Sequence, residues 1–174
     1  MSDALVRLFV ENLPEKNFLS AIYRREIDAQ LMELEAGRGA ESTIALAESS
    51  LQDQPELPIA LVLNSDTKQA AEIKRRKNRI FQKFFVIEPD QSRWCVAFAI
   101  PKLNAWVLAD PFIKARLPAW RKGASQYDAQ AVAILDLTKS YTIDRSCLTK
   151  FPDFKELDRF LQGRLKKARA RAAL

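Results

Sequence analysis

The run Pro58-Ile59-Ala60-Leu61-Val62-Leu63 carries no charge, and it breaks off into Asn64-Ser65-Asp66-Thr67 before a charged segment of helical pattern begins. A continuous apolar run of this length reads as a strand buried on both faces, as parallel sheets covered by helices require. Such a strand delivers the polar residues that follow it to the carboxyl edge of its sheet, where ligands collect in open α/β folds. Asn64 and Asp66 then stand at that edge, beside the N-terminus of the next helix. Oxygen-bearing side chains spaced in this way can hold a hard divalent cation, and they equally well cap a helix.

The rest of the chain alternates around this strand. Leu5-Val6-Arg7-Leu8-Phe9-Val10 reads as a first strand ending at Glu11, and Asn12-Leu13-Pro14 turns the chain into a helix over 15–28, with Phe18, Leu19, Ile22 and Tyr23 on one face. Imperfect alternation over 30–35 suggests a second strand. Gly37-Arg38-Gly39 interrupts the chain, and Ile44, Leu46, Ala47 and Leu51 mark an amphipathic helix over 41–52. Beyond Asn64 the pattern predicts a helix over 68–81, strands over 84–88 and 94–100 around the turn at Pro89, and a short helix from Pro101 through Trp106 and Leu108, ended by Asp110-Pro111. Trp106 and Leu108 read as packing residues. Pro118 and Gly123 mark loops, 129–139 is helical by pattern, and a last helix over 154–171 runs into a basic tail. This order, without repeats or low-complexity linkers, gives an α/β domain over 1–174, with a core at about 4–112 and a helical C-terminal extension from about 113.

Composition narrows the chemistry. With 174 residues and 48% hydrophobic content the chain can build a sizeable core. It has no histidine, which removes Ser-His-Asp and Cys-His catalysis and every histidine metal site. Any reaction must use carboxylates, lysine, tyrosine or a carboxylate-held metal. Ser42, Ser65 and Tyr127 have no base partner by position, so no nucleophile stands out. Cys95 and Cys147 are far apart and read as buried free thiols. There is neither a long apolar run nor a signal peptide, so a cytoplasmic protein without a membrane segment is expected. Net charge is +6 and the isoelectric point is near 9.4, which favours a polyanionic partner.

Three segments together resemble the Toprim fold, in particular the small stand-alone Toprim proteins related to OLD-type nucleases. Leu8-Phe9-Val10-Glu11-Asn12-Leu13-Pro14-Glu15 is similar to that family's first motif, a strand ending in Val-Glu-Gly with a second acid four residues after the first. Val62-Leu63-Asn64-Ser65-Asp66-Thr67 is similar to its Asp-x-Asp motif. Ile100 to Pro111 resembles the Pro-x-x-Glu-Ala-Trp-Leu-Leu-Ala-Asp-Pro segment and is the most specific match. The stretch from Ser146 to Leu161 is similar to the family's closing helix, so the resemblance spans nearly the whole chain in order.

The resemblance implies a mostly parallel sheet whose carboxylate cluster binds Mg²⁺ or Mn²⁺ and acts on nucleic-acid phosphodiesters. Glu11 and Asp66 would be the catalytic acids, with Glu15 completing the metal site and Asn64 and Asn104 as neutral ligands. The chain departs from the pattern at Asn12, Asn64 and Asn104, which stand for a glycine, an aspartate and a glutamate. Metal affinity in oxygen sites rises with ligand charge, so a nuclease of weak or lost activity is expected. The alternative is a catalytically inactive Toprim domain, needing no metal, that binds a partner protein or nucleic acid. Lys68, Lys74, Arg75, Arg76, Lys77 and Arg79 on the helix after Asp66 are the candidate DNA or RNA contacts; as a bland reading, they form a solvated helix face.

Overall fold

In the computed structural model the described residues are 5–116, 136 and 141–172, with backbone alone for 104 and 168–172. Four strands, β1 (Val6–Val10), β2 (Met32–Ala36), β3 (Ile59–Asn64) and β4 (Trp94–Ala99), form one sheet in the order β2-β1-β3-β4. All three pairings are parallel, with Val10 opposite Val62 and Asn64 opposite Ala99. The fold is therefore α/β. Every residue of β3 and β4 is buried, as the uninterrupted apolar run predicts for strands covered on both faces.

Helices cover the two faces separately. Helices α1 (Leu13–Ile22) and α2 (Arg24–Asp28) follow β1 and pack on the face that carries Leu8, Val10, Val62 and Ala97. Helices α3 (Ala40–Asp53) and α4 (Ala70–Ile87) pack on the opposite face, against Phe9, Leu61, Leu63 and Phe98. Alternate side chains of β3 and β4 thus enter different cores. Short helices α5 (Asn104–Val107) and α6 (Pro111–Arg116) follow β4, and α7 (Pro152–Ala172) ends the described chain.

Several elements differ from their sequence expectation. The helix expected over 15–28 is two, because the backbone breaks at Tyr23, whose ring is fully buried and whose hydroxyl donates to Asp158. The strand expected over 84–88 does not form; α4 continues to Ile87. Ile73, Ile80, Phe81, Phe84 and Ile87 recur at helical spacing and all face the second core, so packing overrides the β propensity of Phe84-Phe85-Val86-Ile87. Trp94 makes edge contacts with Phe81 and Phe84, at 4.8 and 5.5 Å between ring centres, fixing this end of the helix.

Asp110-Pro111 does more than end a helix. Asp110 is fully buried and accepts from the backbone N–H groups of Phe112 (2.8 Å) and Ile113 (3.2 Å), so it caps α6, with Pro111 in the first helical position. Its other oxygen takes the Tyr141 hydroxyl at 2.9 Å. Trp106 is buried against Phe154 at 5.2 Å, whereas Leu108 is exposed rather than packed. The C-terminal helix is not an appendage: Phe154, Leu157, Leu161 and Leu165 are buried in the first core. Of the two free cysteines Cys95 is buried, which pushes its thiol up to about 12, and Cys147 is half-buried. Pro118, Gly123, Tyr127 and the helix expected over 129–139, Asp136 apart, lie outside the described residues. No described helix is long and apolar enough to cross a membrane.

Candidate active site at the carboxyl edge of the sheet

The chain leaves β1 toward one face of the sheet and leaves β3 toward the other, and these two strands are neighbours. A parallel sheet opens a crevice at such a switch point, and the residues that follow the two strands line it. Glu11 comes directly after β1, Glu15 lies in the first turn of α1, and Asn64 ends β3. The structure brings these three together.

Glu11 and Glu15 are each 7% exposed and Asn64 is 6% exposed. The Asn64 backbone N–H donates to Glu11 Oε1 at 2.5 Å. Its side-chain Nδ2 donates to Glu15 Oε1 at 3.0 Å and lies 3.4 Å from Glu11 Oε2. Its Oδ1 accepts the N–H of Leu103 at 2.8 Å, which fixes the orientation of the amide. Asn64 therefore turns donors toward two carboxylates and commits its oxygen to the backbone. It does not offer the ligating oxygen expected of it. Glu15 Oε2 is buried and has no hydrogen-bond partner. Burial pushes the Glu11 carboxyl above its usual range, and the charges of Asp66 and Glu15 add to the effect against the opposing hydrogen bonds from Asn64.

Asp66 differs from these three in its exposure. It is exposed, and its carboxylate lies 3.7 Å from the Lys102 ammonium. Its backbone has φ of 56°, a left-handed conformation that aspartate tolerates better than most residues. The turn is held by hydrogen bonds from the Ser65 N–H to Ala99 (3.0 Å) and from the Asp66 N–H to Pro101 (2.8 Å). Arg76 reaches back from α4 to the Ser65 carbonyl at 2.5 Å, with its guanidinium 5.4 Å from the Phe98 ring centre. Among the described residues no three acidic or thiol side chains are grouped as a metal site would need, and the charge of Asp66 acts on Glu11 more strongly than that of Glu15 does. Asn104 opens α5 next to Leu103, and its side chain lies outside what is described.

Thr43 and Gly37, neither of them a candidate site residue in the sequence, pack beside the end of β1. Thr43 is fully buried and its hydroxyl lies 2.7 Å from the Gly39 carbonyl and 3.2 Å from that of Val10. Gly37 sits so close that a Cβ there would lie 2.2 Å from Thr43 Oγ1, and the Gly39 N–H donates to the Glu11 carbonyl. The Gly-x-Gly break was legible as a loop; its close packing beside Glu11 was not.

The six basic candidates also divide. Lys68, Lys74, Arg75 and Arg79 are exposed. Lys77 instead pairs with Asp153 at 2.8 Å and Glu156 at 3.4 Å on α7, and Arg76 anchors the turn after β3. Comparison with known proteins adds no name to this arrangement: no family model, curated protein or solved structure matches the chain.

Proposed function

We propose that this chain is a Toprim-like nucleic-acid-processing protein that acts weakly on phosphodiester bonds, with Glu11 and Glu15 as the acids that would hold Mg²⁺ or Mn²⁺. The observation that carries the reading is the buried carboxylate pair at the switch point, with one Glu15 oxygen left without a partner. The donor set fits such an ion, because Mg²⁺ keeps several waters and is commonly held by one or two carboxylates together with substrate phosphates. When bound, it supplies charge against the phosphoryl oxygens and makes histidine unnecessary.

The chain's own residues supply the rest. Burial disfavours the bare charge of Glu11, and a bound cation would offset that cost. Asn64 holds both carboxylates in place with neutral donors, and Arg76 and Pro101 hold the turn that places Asp66 at the rim. The cost is charge: with Asn64 neutral and turned away as a ligand, the site is weaker than one built from three or more acids.

A second reading is favoured by that same amide. Its two-way bracket satisfies part of what a cation would satisfy, as expected of a Toprim-like domain that has become a binding scaffold. One experiment separates the two. The purified protein and Glu11→Gln are incubated with supercoiled plasmid, single-stranded DNA and RNA, in Mg²⁺ or Mn²⁺ and in EDTA. Metal-dependent cleavage that disappears in the variant is expected. No cleavage of any substrate, with a melting temperature indifferent to metal, would replace the nuclease reading with the scaffold.

A further inference from the structure

The outward face of α4 carries a second feature of the molecule, distinct from the carboxylate crevice. Its exposed residues recur at three- and four-residue spacing: Lys74, Arg75, Asn78, Arg79 and Gln82, which with Ala71 line one shallow open groove. This lining contains no acid. Lys74 and Arg75 pair with no carboxylate among the described residues, and Arg79 has only Glu41 at 4.0 Å, with both side chains largely exposed. Such an exposed pair contributes little and opens readily to a competing anion. Glu72 and Lys83 flank the face, and Lys83 is occupied by Glu48 at 3.2 Å.

The neighbouring cations in the sequence point elsewhere. Arg76 and Lys77 turn toward the body of the protein, where each holds a structural contact to another element. The run Lys74-Arg75-Arg76-Lys77 is thus split by the helical period into two outward cations and two inward ones. Arg79 lies one turn beyond Arg75, about 6 Å along the axis, so the outward cations form a track rather than a point. Asn78 and Gln82 between and beyond them can donate to phosphate oxygens. The track begins in the second turn of the helix that follows β3, and it ends at the exposed apolar pair Phe85 and Val86.

We infer that the α4 face formed by Lys74, Arg75 and Arg79 binds the phosphodiester backbone of a nucleic acid without reading its bases, while Arg76 and Lys77 take no part. An acid-free cationic row with interleaved amides is the complement of a regular polyanion. This inference names the surface by which the protein would hold the substrate class proposed above, and it rests on that reading.

The test measures binding in EDTA, where cleavage cannot confuse it. A labelled duplex of about 20 base pairs is titrated by fluorescence polarisation from roughly 50 to 200 mM salt. The variant Lys74→Gln, Arg75→Gln, Arg79→Gln should reduce the slope of log affinity against log salt by about 2–3, since each phosphate contact contributes about 0.9. Lys77→Gln should leave the slope unchanged. A triple variant that binds as the parent does would overturn the inference, as would a Lys77→Gln loss equal to that of a track residue. Poly-glutamate competing as well as DNA at equal charge would overturn it in favour of an acidic protein partner. The two proposals fail separately. A protein that binds through this face but never cuts loses only the nuclease reading, and one that cuts with the triple variant unimpaired loses only the track.

Discussion

At the scale of single residues, Asn64 decides what the crevice is. Two carboxylates buried side by side repel each other and have lost their water, and a cation, a shared proton or a set of donors must offset this. Asn64 supplies the donors, one from its backbone and two from its amide. Replacing it by aspartate keeps the acceptor for the Leu103 N–H but removes the amide donors and adds a third negative charge. Asn64→Asp should therefore destabilise the protein in EDTA by about 2–3 kcal/mol. It should also give a larger rise in melting temperature on adding Mg²⁺ than the parent shows, because affinity follows ligand charge. Thermal melts with and without metal measure both effects. An aspartate variant as stable as the parent in EDTA would mean that the amide does not hold the carboxylates together.

At the scale of elements, α4 shows how one helix serves three tasks through its period. Its inner face fills the second core, its flank anchors the β3 turn and the C-terminal helix through Arg76 and Lys77, and its outer face is solvent-exposed. The last turn is the sharpest case. Phe84 is fully buried while Val86 two residues later is 82% exposed, a contrast that a strand, with residues two apart on the same face, would not produce. Phe84→Ala should cost about 3–5 kcal/mol, and Val86→Ala should stay within about 0.5 kcal/mol. Urea denaturation of the two variants checks this. Similar losses in both would place 84–88 back in an extended segment.

At the scale of the whole molecule, the C-terminal helix closes the sheet. It packs along β4 and reaches β1, burying Phe154, Leu157, Leu161 and Leu165. At its side Arg145 joins Glu26 at 2.5 Å and lies 4.8 Å from the Tyr23 ring, so the far end of the chain is bonded to the first crossover. Burying four such side chains is worth about 6–12 kcal/mol. That is comparable with the whole stability of an ordinary domain, about 5–15 kcal/mol. A chain ending at residue 151 should accordingly fail to fold, seen as loss of a cooperative transition by circular dichroism. A truncated chain that still melts cooperatively would make the helix the extension its position in the sequence suggests.

The sequence by itself determined the elements whose burial is written in their period. The run before Asn64 read as a strand covered on both faces and the alternation around it as an α/β sheet, and both formed. It also placed Glu11 and Asn64 at strand ends, because polar residues that close an apolar strand have nowhere else to go. Periodicity says which side of an element is buried but not which element buries it, and that part belonged to the tertiary structure. Only the pairing of β1 with β3 brings Glu11 to Asn64, 53 residues apart in the chain, while Asp66, two residues further on, turns to the rim and meets Lys102. The same limit hid the direction of the Asn64 amide, which is set by the Leu103 N–H, and the inward turn of Arg76 and Lys77, which is set by partners in the turn after β3 and in α7. Side-chain direction is decided by contacts between distant segments, and those contacts exist only once the chain has closed.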